Sequence, residues 1–211
     1  MAVYDLEEQE KLDELKAWWK QWGNSIIAAV AVFVIVLSGI QWWRGHQQAL
    51  AGEAATLYDT LTKAAGEKDA KKVADAAKAV MDKYAGSAYA PRAALVAAKT
   101  AFDKGDMAAA KTNLEWVIAN AKEEELKSVA RLRLASVLAD EKNFDGAVKQ
   151  LDANTGVGFE VATASLRGDI LLAQGKLVDA KNAYAAAIAK SDPETNKQLL
   201  QFKLDALGDV K

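Results

Sequence analysis

Few side chains in this sequence can do covalent or metal chemistry. There is one histidine, His46, and no cysteine. A site built on two imidazoles, a thiolate nucleophile, or a cysteine-held zinc or iron–sulfur centre is therefore excluded. His46 stands two residues after Arg44, at the end of a long apolar run, where a solvated interfacial residue is expected rather than a metal ligand. Gly156-Val157-Gly158 is two glycines in a loop and reads as a turn, not a phosphate cradle. The carboxylates Glu123-Glu124-Glu125 read as a helix N-terminus, where the helix dipole favours negative charge, and not as a general-acid pair. Lys71-Lys72 reads as a solvated face. No cofactor or metal is expected, and the polar constellation that an enzyme needs is missing.

The composition points instead to a helical binding protein. Of 211 residues, 51% are hydrophobic and 27% charged, with 13 Gly and only 2 Pro. An alanine-rich, Lys/Glu-rich, proline-poor chain favours helix. The 27 basic and 29 acidic side chains leave a net charge of −2, so no basic surface for nucleic acid is expected. The absence of cysteine does not exclude an oxidising compartment, because a domain of this size needs no disulfide.

The strongest local signal is an uncharged run of 23 residues, 21–43, bounded by Lys20 and Arg44. As a helix it spans about 34 Å, slightly more than a hydrocarbon core. Trp18, Trp19 and Trp22 flank one end, and Trp42 and Trp43 the other, as interfacial belts do. A buried core helix has no reason to carry such clusters. A cleaved signal peptide needs a basic leader, whereas residues 1–20 hold three lysines against six carboxylates. The Ala-x-Ala at Ala49–Ala51 lies far past the apolar run. An uncleaved transmembrane helix is the expectation.

Three lysines precede the span and only Arg44 follows closely, which places the arm, residues 1–20, in the cytoplasm. Residues 44–211 are then the outer body, periplasmic in a Gram-negative cell. Four of the 27 basic and six of the 29 acidic side chains precede residue 45, so the body balances at 23 each. Within the arm, Leu12, Leu15, Trp19 and Trp22 share a helical face. A helix resting at the membrane surface is the plain reading, a small docking motif the sharper one.

Past the membrane, helix-length segments alternate with short breaks at Gly66–Asp69, Gly86-Ser87, Gly105-Asp106, Glu141–Asn143, Asn154–Gly158, Gly175-Lys176 and Ser191–Pro193. The segments repeat. Gly168, Gly175, Leu177, Ala180 and Tyr184 align, shifted by 33, with Ala135, Lys142, Phe144, Ala147 and Leu151. A further shift of 37 brings Ala98, Gly105, Met107, Ala110 and Leu114 into the same places. A unit near Thr56–Tyr84 is degenerate. Small residues allow close helix crossings, and bulky ones plug the neighbouring hairpin. The spacing is similar to the tetratricopeptide repeat, with Pro193 one residue beyond the usual closing proline. The expected fold is all-α: a single N-terminal transmembrane helix, then a tetratricopeptide-like solenoid of helical hairpins.

In that repeat the first helix of each unit lines the concave wall. The register places Lys99, Phe102 and Asp103 there, then Leu132, Ser136 and Ala139, then Ser165, Asp169 and Leu172. These are the candidate partner-binding residues, with packing between repeats as the alternative role. Arg131, Arg133 and Arg167 lie nearby and could pair with Asp169 or bind a partner carboxylate.

The opening Tyr4-Asp5-Leu6-Glu7-Glu8-Gln9-Glu10, the Trp18-Trp19 pair, Leu132-Arg133-Leu134-Ala135 and Leu166-Arg167-Gly168-Asp169 add detail to this architecture. Together they resemble the YfgM family, ancillary subunits of the SecYEG translocon of Gram-negative bacteria, over essentially the whole chain. The resemblance implies an inner-membrane protein working beside the translocon. It also implies partnership with the membrane-anchored chaperone PpiD, and the passing of emerging secretory chains to periplasmic chaperones. A scaffold subunit of another cell-envelope assembly complex is the alternative, and composition alone does not separate the two.

Overall fold

The computed structural model describes residues 2–191 and 197–208, with side chains from residue 10 onward. Pro193 lies outside the described residues. Among those described there are nine helices and no strand: α1 (Ala2–Gly66), α2 (Ala70–Lys83), α3 (Tyr89–Asp103), α4 (Met107–Asn120), α5 (Glu124–Asp140), α6 (Phe144–Asp152), α7 (Glu160–Ala173), α8 (Leu177–Lys190) and α9 (Lys197–Asp205). The chain divides into two compact units, residues 1–50 and 51–211.

The first unit is helix α1 up to residue 50. Its apolar side chains are exposed on every side, from Ile27 through Phe33 and Ile35 to Ile40. α1 is the one described helix long and apolar enough to cross a membrane. Such a helix has no protein core to bury its surface, so its favourable surroundings are hydrocarbon. At one end the Trp19 indole covers Gly23, where an added Cβ would lie 3.1 Å from the ring. At the other, Trp42 and His46, one helical turn apart, stack with centroids 5.9 Å apart and planes 5° from parallel.

The second unit is built from four hairpins. The last turns of α1 pair with α2, α3 pairs with α4, α5 with α6, and α7 with α8. Each hairpin turns by the same backbone device. Lys68, Gly105, Lys142 and Gly175 take φ of 59°, 80°, 62° and 75°, ending the first helix in a left-handed residue. The next N–H, of Asp69, Asp106, Asn143 or Lys176, then donates to Ala64, Ala101, Leu138 or Leu171 five residues back, at 2.8–3.0 Å. In three hairpins that same residue also caps the second helix. Asp69, Asp106 and Asn143 accept from the N–H of Lys72, Ala109 and Gly146. Each such cap contributes about 1 kcal/mol. Lys176 has no side chain for the task, and no side-chain cap forms there.

The crossing within each hairpin is a buried pair of unequal partners. Ala98 meets the core with Leu114, Ala135 with Leu151, and Gly168 sits directly under the Tyr184 ring. Carried one unit back, the same positions are Leu61 and Ala77, both buried in one cluster. The small and large members have changed sides while the summed volume is kept. That inversion is why the first unit looks degenerate as sequence.

The first three hairpins do not complete their own cores. One cluster joins Leu61 and Ala64 to Val73, Ala77 and Val80 of α2 and to Ala90, Ala93 and Ala97 of α3. The next joins α3 and α4 to Ala130, Leu134 and Val137 of α5. A third joins Ala135, Ala147 and Leu151 to Ile170 of α7. Each of the first three hairpins therefore buries its apolar face against the first helix of its successor, as stacked repeats must, and α8 of the last packs against α9.

Candidate functional site

First helices of successive hairpins touch: α3 meets α5, and α5 meets α7. Among the described residues the second helices α4, α6 and α8 make no comparable contacts with one another. Neighbours that approach lie on the inside of a curved stack, so the first helices form its inner wall. An open groove of about 650 Å³ runs along that wall, with Tyr58, Ala65 and Lys68 on one side, α3 residues from Arg92 to Asp103 and the following Lys104 beneath, and Arg133 of α5 opposite. A second hollow of about 320 Å³ shares Lys99, Asp103 and Arg133 with the first and adds Phe102, Ser136 and Val137. The two adjoin at these shared residues.

Helix α3 positions most of this surface. Its alanines at 90, 93, 94, 97 and 98 are buried, as is Leu95, which turns Val96, Lys99, Phe102 and Asp103 towards the groove. Lys99 Nζ lies 2.6 Å from Asp103 Oδ2, one turn on. Arg92 donates to Glu123 at 3.1 Å and to the Ala88 carbonyl, tying the start of α3 to the start of α5. The Arg92 hydrogen bond holds the Glu123 carboxyl below its ordinary range.

The candidate wall residues fall into two groups. Lys99, Phe102, Asp103 and Ser136 line the second hollow, and Lys99 and Asp103 the larger groove as well. Leu132 and Ala139 pack against the third core cluster. Ser165, Asp169 and Leu172 stand at the far end, where α9 reaches them. Lys203 Nζ lies 2.6 and 2.7 Å from the two Asp169 oxygens and 3.5 Å from Ser165 Oγ. The Tyr184 hydroxyl also donates to Asp169, at 2.7 Å. Burial and that carboxylate push the Tyr184 phenol far above its usual range. Leu172 lines a hollow shared with Leu177, Tyr184 and Leu207. The cation of Asp169 is therefore Lys203, and not one of the three arginines. Arg167 pairs with Asp152, while Arg133 faces the groove.

Tyr58, Ala65, Lys68 and Arg92 are groove residues absent from the sequence-based set. The repeat register contains the signal for two of them. Leu132 shifted back by 37 is Leu95, and by 37 again is Tyr58; Phe102 shifted back by 37 is Ala65. Among the described residues no group of three His, Asp or Glu side chains could hold a metal ion.

Residues 16–209 match the family described as a tetratricopeptide repeat-like domain. Three curated proteins named ancillary SecYEG translocon subunit are similar along their full length. That of Haemophilus influenzae is 33% identical, covering 97% of this chain and 100% of the relative. That of Neisseria gonorrhoeae is 30% identical, over 98% and 100%. That of Escherichia coli is 28% identical, over 99% and 100%. No solved structure matches.

Proposed function

The chain belongs to the family of ancillary SecYEG translocon subunits, and on that footing we propose that it is a membrane-anchored protein-binding module acting beside the translocon. One observation carries this reading: a repeat array whose inner wall holds an open, apolar-floored groove with a second hollow beside it, on a chain that also has a helix fit to cross a membrane. Stacked repeats present such walls to extended partners. In this reading the protein is a non-enzymatic adaptor. Its work is to hold one chain near another.

In the same proposal, residues 1–20 are a cytoplasmic arm, 21–43 the span, and 44–211 the periplasmic body. The partners are SecYEG and the membrane-anchored chaperone PpiD, with emerging secretory chains as the clients handed on to periplasmic chaperones. The chaperone link rests on the family resemblance. The lysines before the span support the orientation.

Site-specific photocrosslinking in intact inner membranes tests it. A crosslinker at Phe102, in the groove, is expected to capture translocon subunits, PpiD or a secretory chain. One at Glu115, exposed on α4, is expected to capture none of these. Adducts confined to a different envelope complex would replace this reading with that of a scaffold subunit. Protease added to spheroplasts is expected to digest residues 44–211 and spare the arm. Protection of the body would reverse the topology.

A further inference from the structure

The groove is lopsided in charge on a body that is neutral. Residues 45–211 balance basic against acidic side chains. Around the groove, Lys68, Arg92, Lys99, Lys104 and Arg133 face a single carboxylate, Asp103. That carboxylate is held by Lys99 in a pair one turn apart, with side chains 66% and 53% exposed. Exposed pairs of this kind contribute little and exchange readily for a better-placed partner. Arg92 is already engaged by Glu123 and the Ala88 carbonyl. Among the described residues, Lys68, Lys104 and Arg133 have no carboxylate within ion-pair distance. Like charges gathered along an open cleft focus the field on whatever enters it.

The floor beneath them is apolar. Val96 and Phe102 supply it, with buried Leu95 behind them, and Phe102 is 37% exposed. A small anion would find cations here but no enclosing donors, and it would leave the floor wet. A peptide segment satisfies both features at once.

We infer that the groove takes an extended peptide in which acidic side chains flank an apolar one. The apolar side chain rests on the α3 floor, and the acids meet Lys68, Lys104 and Arg133. This rests on the groove being the binding surface and adds the chemistry of its occupant. Charge complementarity of this form selects partners and steers their approach more than it raises affinity.

The test uses the full chain in zwitterionic nanodiscs and three short labelled peptides with one apolar pattern. The intervening positions are Asp/Glu, Asn/Gln or Lys. By fluorescence anisotropy the acidic peptide is expected to bind about tenfold more tightly than the neutral one. The margin should shrink as salt is raised. Lys104→Glu with Arg133→Glu, both exposed positions, should transfer the preference to the lysine peptide. Arg133→Gln alone should narrow the acidic margin, and it carries the test if the double reversal fails to fold. Equal binding of the acidic and neutral peptides, or a preference unmoved by Arg133→Gln, overturns the inference. If binding in that case is still lost in Phe102→Ala, the groove remains the binding surface and only its charge preference falls. Failure of all three peptides to bind overturns both. Self-association that the charge reversal abolishes would assign the groove to a second copy of the chain, and overturns the peptide inference too.

Discussion

Replacing Gly168 with alanine sets helix propensity against packing. In an open helix interior the change stabilises by about 0.5–1 kcal/mol, because alanine loses less backbone entropy on folding. At position 168 the new Cβ would lie no more than 2.9 Å from Cδ1, Cε1 and Cζ of Tyr184. The ring has little room to step aside. Tyr184 is 1% exposed, its hydroxyl is bonded to Asp169, and the Lys203 ammonium sits 5.6 Å from its centroid. Overpacking of this sort costs about 1–3 kcal/mol. The net expectation is a loss of about 0.5–2 kcal/mol, or a Tm lower by about 2–6 °C. Gly52 supplies the counter-case: it is also helical, and an added Cβ there meets no atom within 4 Å. Gly52→Ala should therefore raise stability by up to about 1 kcal/mol. Both variants are compared by circular dichroism during thermal and urea unfolding, as full chains in one detergent. Adding Tyr184→Leu to Gly168→Ala should return part of the loss, since the two positions share one contact. Shifts of the same sign for Gly168→Ala and Gly52→Ala would refute the close crossing of α7 and α8.

Ala180, fully buried in α8, should lose about 1–3 kcal/mol as leucine, whereas exposed Ala185→Leu should stay within about 0.5 kcal/mol; the two melting curves decide it. Lys142 holds a φ of 62° where two other hairpins use glycine, so Lys142→Gly should stabilise by about 1 kcal/mol in urea titrations. The Glu123 carboxyl is held below its ordinary value by Arg92, so its stabilising contribution is complete above the unfolded carboxylate pKa and fades as pH falls through the folded one. Glu123→Gln should flatten the loss of stability on acidification in that window, read from Tm against pH, and an unchanged slope would remove the pair from the account.

The long apolar helix fit to cross a membrane was legible in the sequence because it is a property of composition. Twenty-three uncharged residues between tryptophan clusters need no tertiary partner to be recognised. The later repeats were legible for a related reason: their turn glycines, caps and small–large spacing are local and recur in register. The first repeat was obscured because Leu61 and Ala77 invert the pair that Ala98 and Leu114 form. Volume at a crossing is conserved as a sum over two helices, and a linear pattern tracks only one of them. Only the folded chain brings Lys203 onto Asp169, 34 residues away. That contact separates Ser165, Asp169 and Leu172 from the groove in which Lys99, Phe102, Asp103 and Ser136 meet. The excess of positive charge there belongs to two helices, α3 and α5, and to the turns after α1 and α3, whose residues scatter from Lys68 to Arg133 in a chain of nearly balanced charge. Stacking decides it, because side chains far apart in sequence share a field only when the hairpins bring them together.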